Sequence, residues 1–168
     1  MNKILPALLT TAAVFVAGAG TAQAYSGTDY YFSQGSTMKI VDHEPFGANE
    51  VKTVDLSHVY VGRITGDNMT KTLKFSRCAG GEVRFEISLD MTRRDGSVNK
   101  FDADAFLYEG ASCSSSDLDG YLFGPIGEYF YTRPTVGDTG TVTMKVNNTE
   151  EGGDSASTSF RLYGKPVY

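Results

Sequence analysis

Aspartates spaced two residues apart are the best candidates for chemistry in this sequence. Asp102 and Asp104 lie in the stretch FDADAFLYEG, and Asp117 and Asp119 lie in SDLDG. Ca²⁺ takes six to eight oxygen ligands, several of them carboxylates on flexible loops. The spacing therefore predicts a Ca²⁺ site built from these four aspartates, and no other cofactor is expected.

Structural roles for the same aspartates are the alternative. The EF-hand pattern fails because Tyr121 occupies the third acidic position and no glutamate closes the loop. Asp117 and Asp119 are also typical turn formers that cap their own backbone. Asp102 and Asp104 alternate with alanines on one face of a strand, where their carboxylates can bind backbone amides, a cation or a basic partner side chain.

Catalytic motifs are few. The two histidines are His43, in a loop-like stretch, and His58, at the start of a strand. The sequence has no Gly-x-Ser-x-Gly elbow and no His-Glu-x-x-His motif. We therefore predict no catalytic residues and no enzyme, with a secreted hydrolase of unknown type as an alternative because triads and carboxylate pairs can be dispersed through a sequence.

The N-terminus has the pattern of a signal peptide. Lys3 precedes an apolar run from Ile4 to Val16, and Ala22-x-Ala24 fits a signal peptidase site. The apolar run is too short to span a bilayer comfortably. The sequence thus predicts a signal peptide over 1–24, a mature chain from Tyr25, a periplasmic or extracellular address, and no membrane insertion.

Charge and cysteine content indicate which classes of partner and which compartment to expect. The formal net charge of −5 disfavours nucleic acid and favours a basic partner or a divalent cation. Cys78 and Cys113 are the two cysteines, and an isolated pair in an oxidising compartment most often forms a disulfide. Closing that loop of about 36 residues would stabilise the fold by roughly 3–4 kcal/mol.

Alternation of apolar and polar residues dominates the chain after the signal peptide. In EVRFEISLD, four apolar side chains from Val83 to Leu89 face one way and the polar ones face the other. Similar runs separated by Gly- and Asp-rich turns predict eight or nine antiparallel strands. We expect an all-β, single-domain, jelly-roll-like β-sandwich over 51–168, preceded by an N-terminal extension or edge strand over 25–50.

A binding surface is predicted in the stretch GEYFYTRP. If Phe130 lies in the core, alternation turns Tyr129 and Tyr131 outward beside Arg133. Tyrosine and arginine are common anchors of protein interfaces. Alternatively, the two tyrosines cover a second face of the core.

The order of several motifs resembles the bacterial pre-peptidase C-terminal domain. These motifs are VYVGRI, KTLKFSRCAGGEVRFEISL, FDADAFLYEG and GDTGTVTMKV. The resemblance covers roughly Val54 to Gly164, and its most specific part is the Asp-x-Asp-aromatic-Leu-Tyr strand. It implies a jelly-roll-like sandwich that acts as a non-catalytic module on secreted peptidases, with matrix or calcium binding in some members. This chain carries no enzyme domain and would act alone.

The chain is also similar to the small periplasmic inhibitors of i-type and g-type lysozymes. The resemblance rests on a stand-alone sandwich with a signal peptide and on YLFGP, from Tyr121 to Pro125. The Ser-Gly and Tyr of their inhibitory hairpin are replaced here by Thr139-Gly140-Thr141-Val142. These observations together predict a secreted, non-catalytic protein that binds a protein or a polysaccharide, with lysozyme inhibition as the alternative.

Overall fold

The protein is built from antiparallel β-strands. The computed structural model describes residues 26–66, 69–94, 98–124, 140–150 and 153–168, with the backbone alone at 94 and 98–100. These residues form eleven strands and no helix. The strands are β1 (Gly27–Phe32), β2 (Thr37–Asp42), β3 (Glu50–Asp55), β4 (Tyr60–Ile64), β5 (Thr70–Ala79), β6 (Val83–Arg94), β7 (Val98–Glu109), β8 (Asp117–Phe123), β9 (Val142–Asn147), β10 (Ser155–Phe160) and β11 (Leu162–Val167). The all-β expectation is confirmed, with more strands than the eight or nine predicted.

The strands form three antiparallel sheets that share one core. Their orders are β11-β1-β4, β3-β2-β10-β9 and β5-β6-β7-β8. The last sheet is a meander in which each strand pairs with the next along the chain. The arrangement is sandwich-like, because the inward faces of the sheets contribute to a single apolar cluster.

The hydrophobic core follows the alternation of the sequence. In β6, Phe85, Ile87 and Leu89 are fully buried, whereas Glu86 between them is only partly covered. In β7 the same period buries Ala103, Ala105 and Leu107. Since side chains alternate across a strand, Asp102 and Asp104 lie on the opposite, outer face, as the sequence predicted.

The N-terminal strands belong to the domain itself, which corrects the boundary predicted at residue 51. β1 is the middle strand of its sheet, and β2 lies between β3 and β10. Tyr30, Phe32, Met38 and Ile40 are fully buried in the common core. The stretch 25–50 is therefore neither a loose extension nor an edge strand over the residues that the structure describes.

Pairing between distant strands decides two local features that the sequence pattern does not show. The run from Thr158 to Gly164 is two strands in different sheets, since the chain crosses between sheets at Arg161. Phe160 and Leu162 are both buried, so alternation alone could not reveal the crossing. Asp117 and Asp119 lie in strand β8 rather than in a loop, and Asp119 is the extra residue of a β-bulge opposite Leu107 and Tyr108.

The predicted disulfide is present between Cys78 and Cys113. The Cα atoms are 5.8 Å apart, and the bridge ties the end of β5 to the loop between β7 and β8. Lys52 Nζ donates a hydrogen bond to the Cys78 carbonyl at 2.7 Å, which adds a contact from β3 at the same corner. This corner lies close to the carboxyl cluster described below.

Candidate functional site

An aromatic face covers the outer side of β7 and β8. The register places Phe106 opposite Tyr121 and Asp104 opposite Phe123, so these side chains share one side of the sheet. Tyr108 lies on the same side at the end of β7. The four rings of Phe106, Tyr108, Tyr121 and Phe123 are called the aromatic face from here on.

The rings of the aromatic face contact one another and remain open to solvent. Tyr121 and Phe123 lie 4.9 Å apart between ring centroids, and Phe106 is 6.4 Å from Phe123. Tyr121 is 60% exposed and Phe123 is 61% exposed. Exposure of large rings in mutual contact is unusual on a surface that has no partner.

Charged residues on β5 and β6 border the aromatic face. The Arg84 guanidinium lies 4.2 Å above the Tyr108 ring, and its Nη2 donates to the Ser115 carbonyl at 3.0 Å. Lys74 and Glu86 form an ion pair at 3.0 Å on the same side of the sheet. The arrangement is an apolar centre next to charged groups, which is the general anatomy of a protein interface.

The four aspartates predicted to bind Ca²⁺ are not brought together. Asp104 lies opposite Phe123, whereas Asp117 lies opposite Glu109 at the other end of the same pairing. Glu109 is five positions after Asp104 on β7, which corresponds to about 17 Å along the strand. The described residues contain no group of three or more His, Cys, Asp or Glu side chains that could hold a metal ion.

Two of these aspartates bind backbone amides instead. Asp104 Oδ1 accepts a hydrogen bond from the Gly124 amide at 3.2 Å. Asp119 is buried, and its Oδ2 accepts from the Glu109 amide at 2.7 Å. The Asp119 carbonyl also accepts from the Thr149 amide at 2.8 Å. Asp119 thus joins β7 to the segment after β9 through its place in the bulge.

The predicted surface of Tyr129, Tyr131 and Arg133 lies outside the described residues. The described part of the chain stops at Gly124, directly after Phe123 of the aromatic face, and resumes at Gly140. That prediction therefore stays a prediction.

A cluster of carboxyl groups lies at the end of β7, away from the aromatic face. Asn148 Nδ2 donates to Glu109 Oε2 at 2.6 Å. The carboxyl of Glu109 also lies next to that of Asp154. Asp154 in turn accepts from the His43 amide through Oδ1 at 2.6 Å. Residues from β2, β7 and the segment before β10 meet here.

Electrostatics in this cluster favour protonated carboxyls. The neighbouring carboxyl of Asp154, together with burial and the charge of Asp119, raises the pKa of Glu109 to about 8. Burial, followed by repulsion from Asp154 and Glu44, raises the pKa of Asp42 to about 6. Crowded carboxyl groups retain protons because ionising all of them in a partly desolvated site is costly.

A second aromatic group surrounds His58 on the sheet formed by β11, β1 and β4. Tyr31 and Tyr163 are stacked with centroids 5.4 Å apart, and His58 Nδ1 is 3.2 Å from the Tyr163 hydroxyl. Lys165 Nζ lies 4.8 Å from the centre of the Tyr31 ring. His58 and His43 belong to separate places, so the two histidines do not form one site.

One feature of the sequence pointed to the carboxyl cluster, although it belongs to no known motif. Met38 and Ile40 point into the core, and alternation places Asp42 in the same inward register. An acidic residue in an apolar register is a mark of a special environment. Glu109 and Asp154 gave no such signal, because their meeting depends on pairing between distant strands.

Comparisons with known proteins found no relative. Searches against protein-family models, curated proteins and solved structures returned no match. Among the residues that the structure describes, none belongs to a helix long and apolar enough to cross a membrane. The disulfide is consistent with an address outside the cytoplasm, where such bonds persist.

Proposed function

We propose that this protein acts outside the cytoplasm as a non-catalytic binding protein and that the aromatic face is its binding surface. The observation that carries the proposal is the mutual contact of Tyr121 and Phe123, each more than half exposed, beside Arg84 stacked on Tyr108. Aromatic and arginine side chains supply most of the free energy at protein interfaces. The signal-peptide pattern and the disulfide support the extracytoplasmic address.

The orientation of the rings favours a protein partner over a polysaccharide. Phe106 and Phe123 are inclined at 82° to each other, and Tyr121 and Phe123 at 50°. Sugar rings stack best on aromatic rings that present one flat plane, which these do not. An uneven apolar group beside an arginine instead suits a pocket on a protein surface.

Capture from an extract of the source cells tests the proposal. Immobilised wild-type protein should retain a partner, and the variant Y121A/F123A should lose most of the capture. Removing interface anchors of this type typically costs about 2 kcal/mol or more, which is roughly thirtyfold in affinity. The matched control is F46A/Y168A, which removes two exposed rings elsewhere and should capture normally.

Pretreatment of the extract identifies the class of the partner. Digestion with a broad protease should abolish capture if the partner is a protein. Capture that survives protease but is lost after polysaccharide hydrolysis would show a polysaccharide ligand. Equal capture by Y121A/F123A and wild type would show that the aromatic face is not the binding surface.

Lysozyme inhibition remains the alternative that the resemblance favours. The net charge of −5 complements a basic enzyme and would speed encounter with it. Assays with c-, g- and i-type lysozymes test it directly. Nanomolar inhibition that Y121A/F123A weakens would identify the partner as a lysozyme, and full activity of all three classes would remove this alternative.

A hydrolase is the second alternative, and the paired carboxyls of Glu109 and Asp154 are the observation that favours it. Two carboxyl groups in close contact supply the acid and base of some peptide hydrolases, whereas glycoside hydrolysis uses carboxyls at least about 5 Å apart. Turnover of chromogenic glycoside, ester or peptide substrates that E109Q abolishes would support it. Turnover unaffected by E109Q would assign the activity to another place or to a contaminant.

A further inference from the structure

The carboxyl cluster borders a cavity that contains no residue of the aromatic face and has no role in the proposed function. The cavity has a volume of about 370 Å³ and is lined by Asp42, His43, Glu44, Pro45, Glu82, Glu109 and Asp154. These residues come from the end of β2, the loop after it, the turn between β5 and β6, the end of β7 and the segment before β10. The volume lies at the lower end of the range for small-molecule sites.

The lining of the cavity is strongly acidic. Five of the seven lining residues carry carboxyl groups, and no lysine or arginine is among them within the described part of the chain. A concave site lined by one sign of charge focuses the electrostatic potential and concentrates ions of the opposite sign. The cavity is therefore suited to a cation.

Asp42 points to a ligand in this cavity independently of the overall charge of the lining. Asp42 lines the cavity and is only 5% exposed, and its Oδ2 is buried with no hydrogen-bond partner among the residues that the structure describes. A buried acceptor without a donor is costly and uncommon in folded proteins. Oδ2 lies against Gly80 in the wall that Asp42 contributes to the cavity.

We propose that this cavity binds the ammonium group of an organic cation through Asp42, Glu109 and Asp154. An ammonium group offers three N–H donors and a positive charge, which suit carboxyl acceptors in the wall of a cavity that also has room for the organic part of the cation. A metal ion needs ligands at short, fixed distances, and the described residues contain no such group of three. The ammonium group can belong to a free polyamine or to a lysine side chain of a partner.

Protons compete with such a ligand for the same oxygens. Glu109 and Asp42 hold protons more tightly than ordinary carboxyls. The other titratable groups that face them are Glu44, Glu50, Glu82, Asp119 and Asp154, together with the lining residue His43. Because binding of the cation releases protons, its affinity should rise between pH 5.5 and pH 8.5.

Calorimetric titration with spermidine and with a short lysine peptide tests the proposal. Both are titrated into the full chain at low ionic strength at pH 5.5, 7.0 and 8.5. We expect binding that tightens with pH and that weakens at least tenfold in D42N and in D154N. The matched control is D55N, which removes one charge at an exposed site outside the cavity and should bind as wild type.

The pattern of results separates the sources of the ammonium group. Binding of spermidine alone would assign the site to a free polyamine, and binding of the peptide alone to a partner lysine. Absence of binding by both probes at millimolar concentration and pH 8.5 would overturn the proposal, as would unchanged affinity in D42N. Ca²⁺ or Mg²⁺ binding tighter than either amine would also overturn it. Thermal melts of each variant check that the fold is intact.

Discussion

The carboxyl groups of Glu109 and Asp154 lie beside each other, and this contact joins β7 to the segment before β10. Two carboxyl oxygens can be hydrogen-bonded only when one of the groups keeps its proton. A contact between distant parts of the fold therefore depends on a proton that ordinary glutamate would lose well below neutral pH.

Stability should fall as pH rises above neutrality. The folded-state pKa of Glu109, at about 8, lies above its ordinary value of 4.5, so the folded state binds more protons than the unfolded state between these values. The stabilisation is fully present below pH 4.5 and is lost as pH rises through 8. The raised pKa of Asp42, about 6, also makes the folded state less stable as pH rises. Urea unfolding at pH 5, 7 and 9 should show decreasing free energies of unfolding.

The variant E109Q tests the origin of that slope. Its stability should depend less on pH between 5 and 9, because the amide cannot ionise. The control E150Q changes an exposed glutamate on a neighbouring turn and should keep the wild-type slope. A slope that E109Q leaves unchanged would place the responsible group elsewhere.

Replacing Gly80 by alanine should destabilise the fold more than replacing Gly81. Both glycines have positive φ, at 63° and 98°, so both alanine variants carry the backbone cost of about 1 kcal/mol or more. A Cβ at Gly80 would also collide with the Asp42 carboxyl, whereas a Cβ at Gly81 would meet no atom of the described residues within 4 Å. Chemical denaturation of G80A and G81A measures the difference, and equal losses would contradict the contact.

Removing the disulfide should lower the free energy of unfolding by roughly 3–4 kcal/mol. The bridge closes a loop across β6 and β7, so the chain-entropy model predicts a large effect on the unfolded state. The variant C78S/C113S should show it in urea, and wild-type protein in reducing buffer should match that variant. A reduced wild type as stable as the oxidised one would show that the sheet pairing suffices at this corner.

Calcium should leave the thermal midpoint unchanged at millimolar concentration, because the register keeps Asp102 and Asp104 away from Asp117 and Asp119. Asp104 should matter as an acceptor for the Gly124 amide. D104N keeps that oxygen and should stay near wild-type stability, whereas D104A should lose about 1 kcal/mol. A rise in melting temperature with Ca²⁺ that D104N abolishes would restore the calcium site.

Local pattern was sufficient to predict most of the fold. Alternation in EVRFEISLD and FDADAFLYEG predicted which side chains of β6 and β7 enter the core, because the strand period places alternate residues on opposite faces. The cysteine pair was also predictable, since only two cysteines exist to bridge. The stretch that forms β1 and β2 was predicted only as an extension or an edge strand, because Tyr30, Tyr31 and Phe32 are consecutive aromatic residues whose alternating burial the sequence does not show.

Tertiary structure alone decided which polar groups meet. Asp42, Glu109 and Asp154 lie far apart in sequence, and the sheet topology that gathers them arises from pairing between distant strands. The separation of Asp104 from Asp117 has the same origin, since a spacing of two residues fixes the face of a strand but not the position along the neighbouring strand. The bulge at Asp119 and the crossing at Arg161 likewise depend on partners that no local pattern contains.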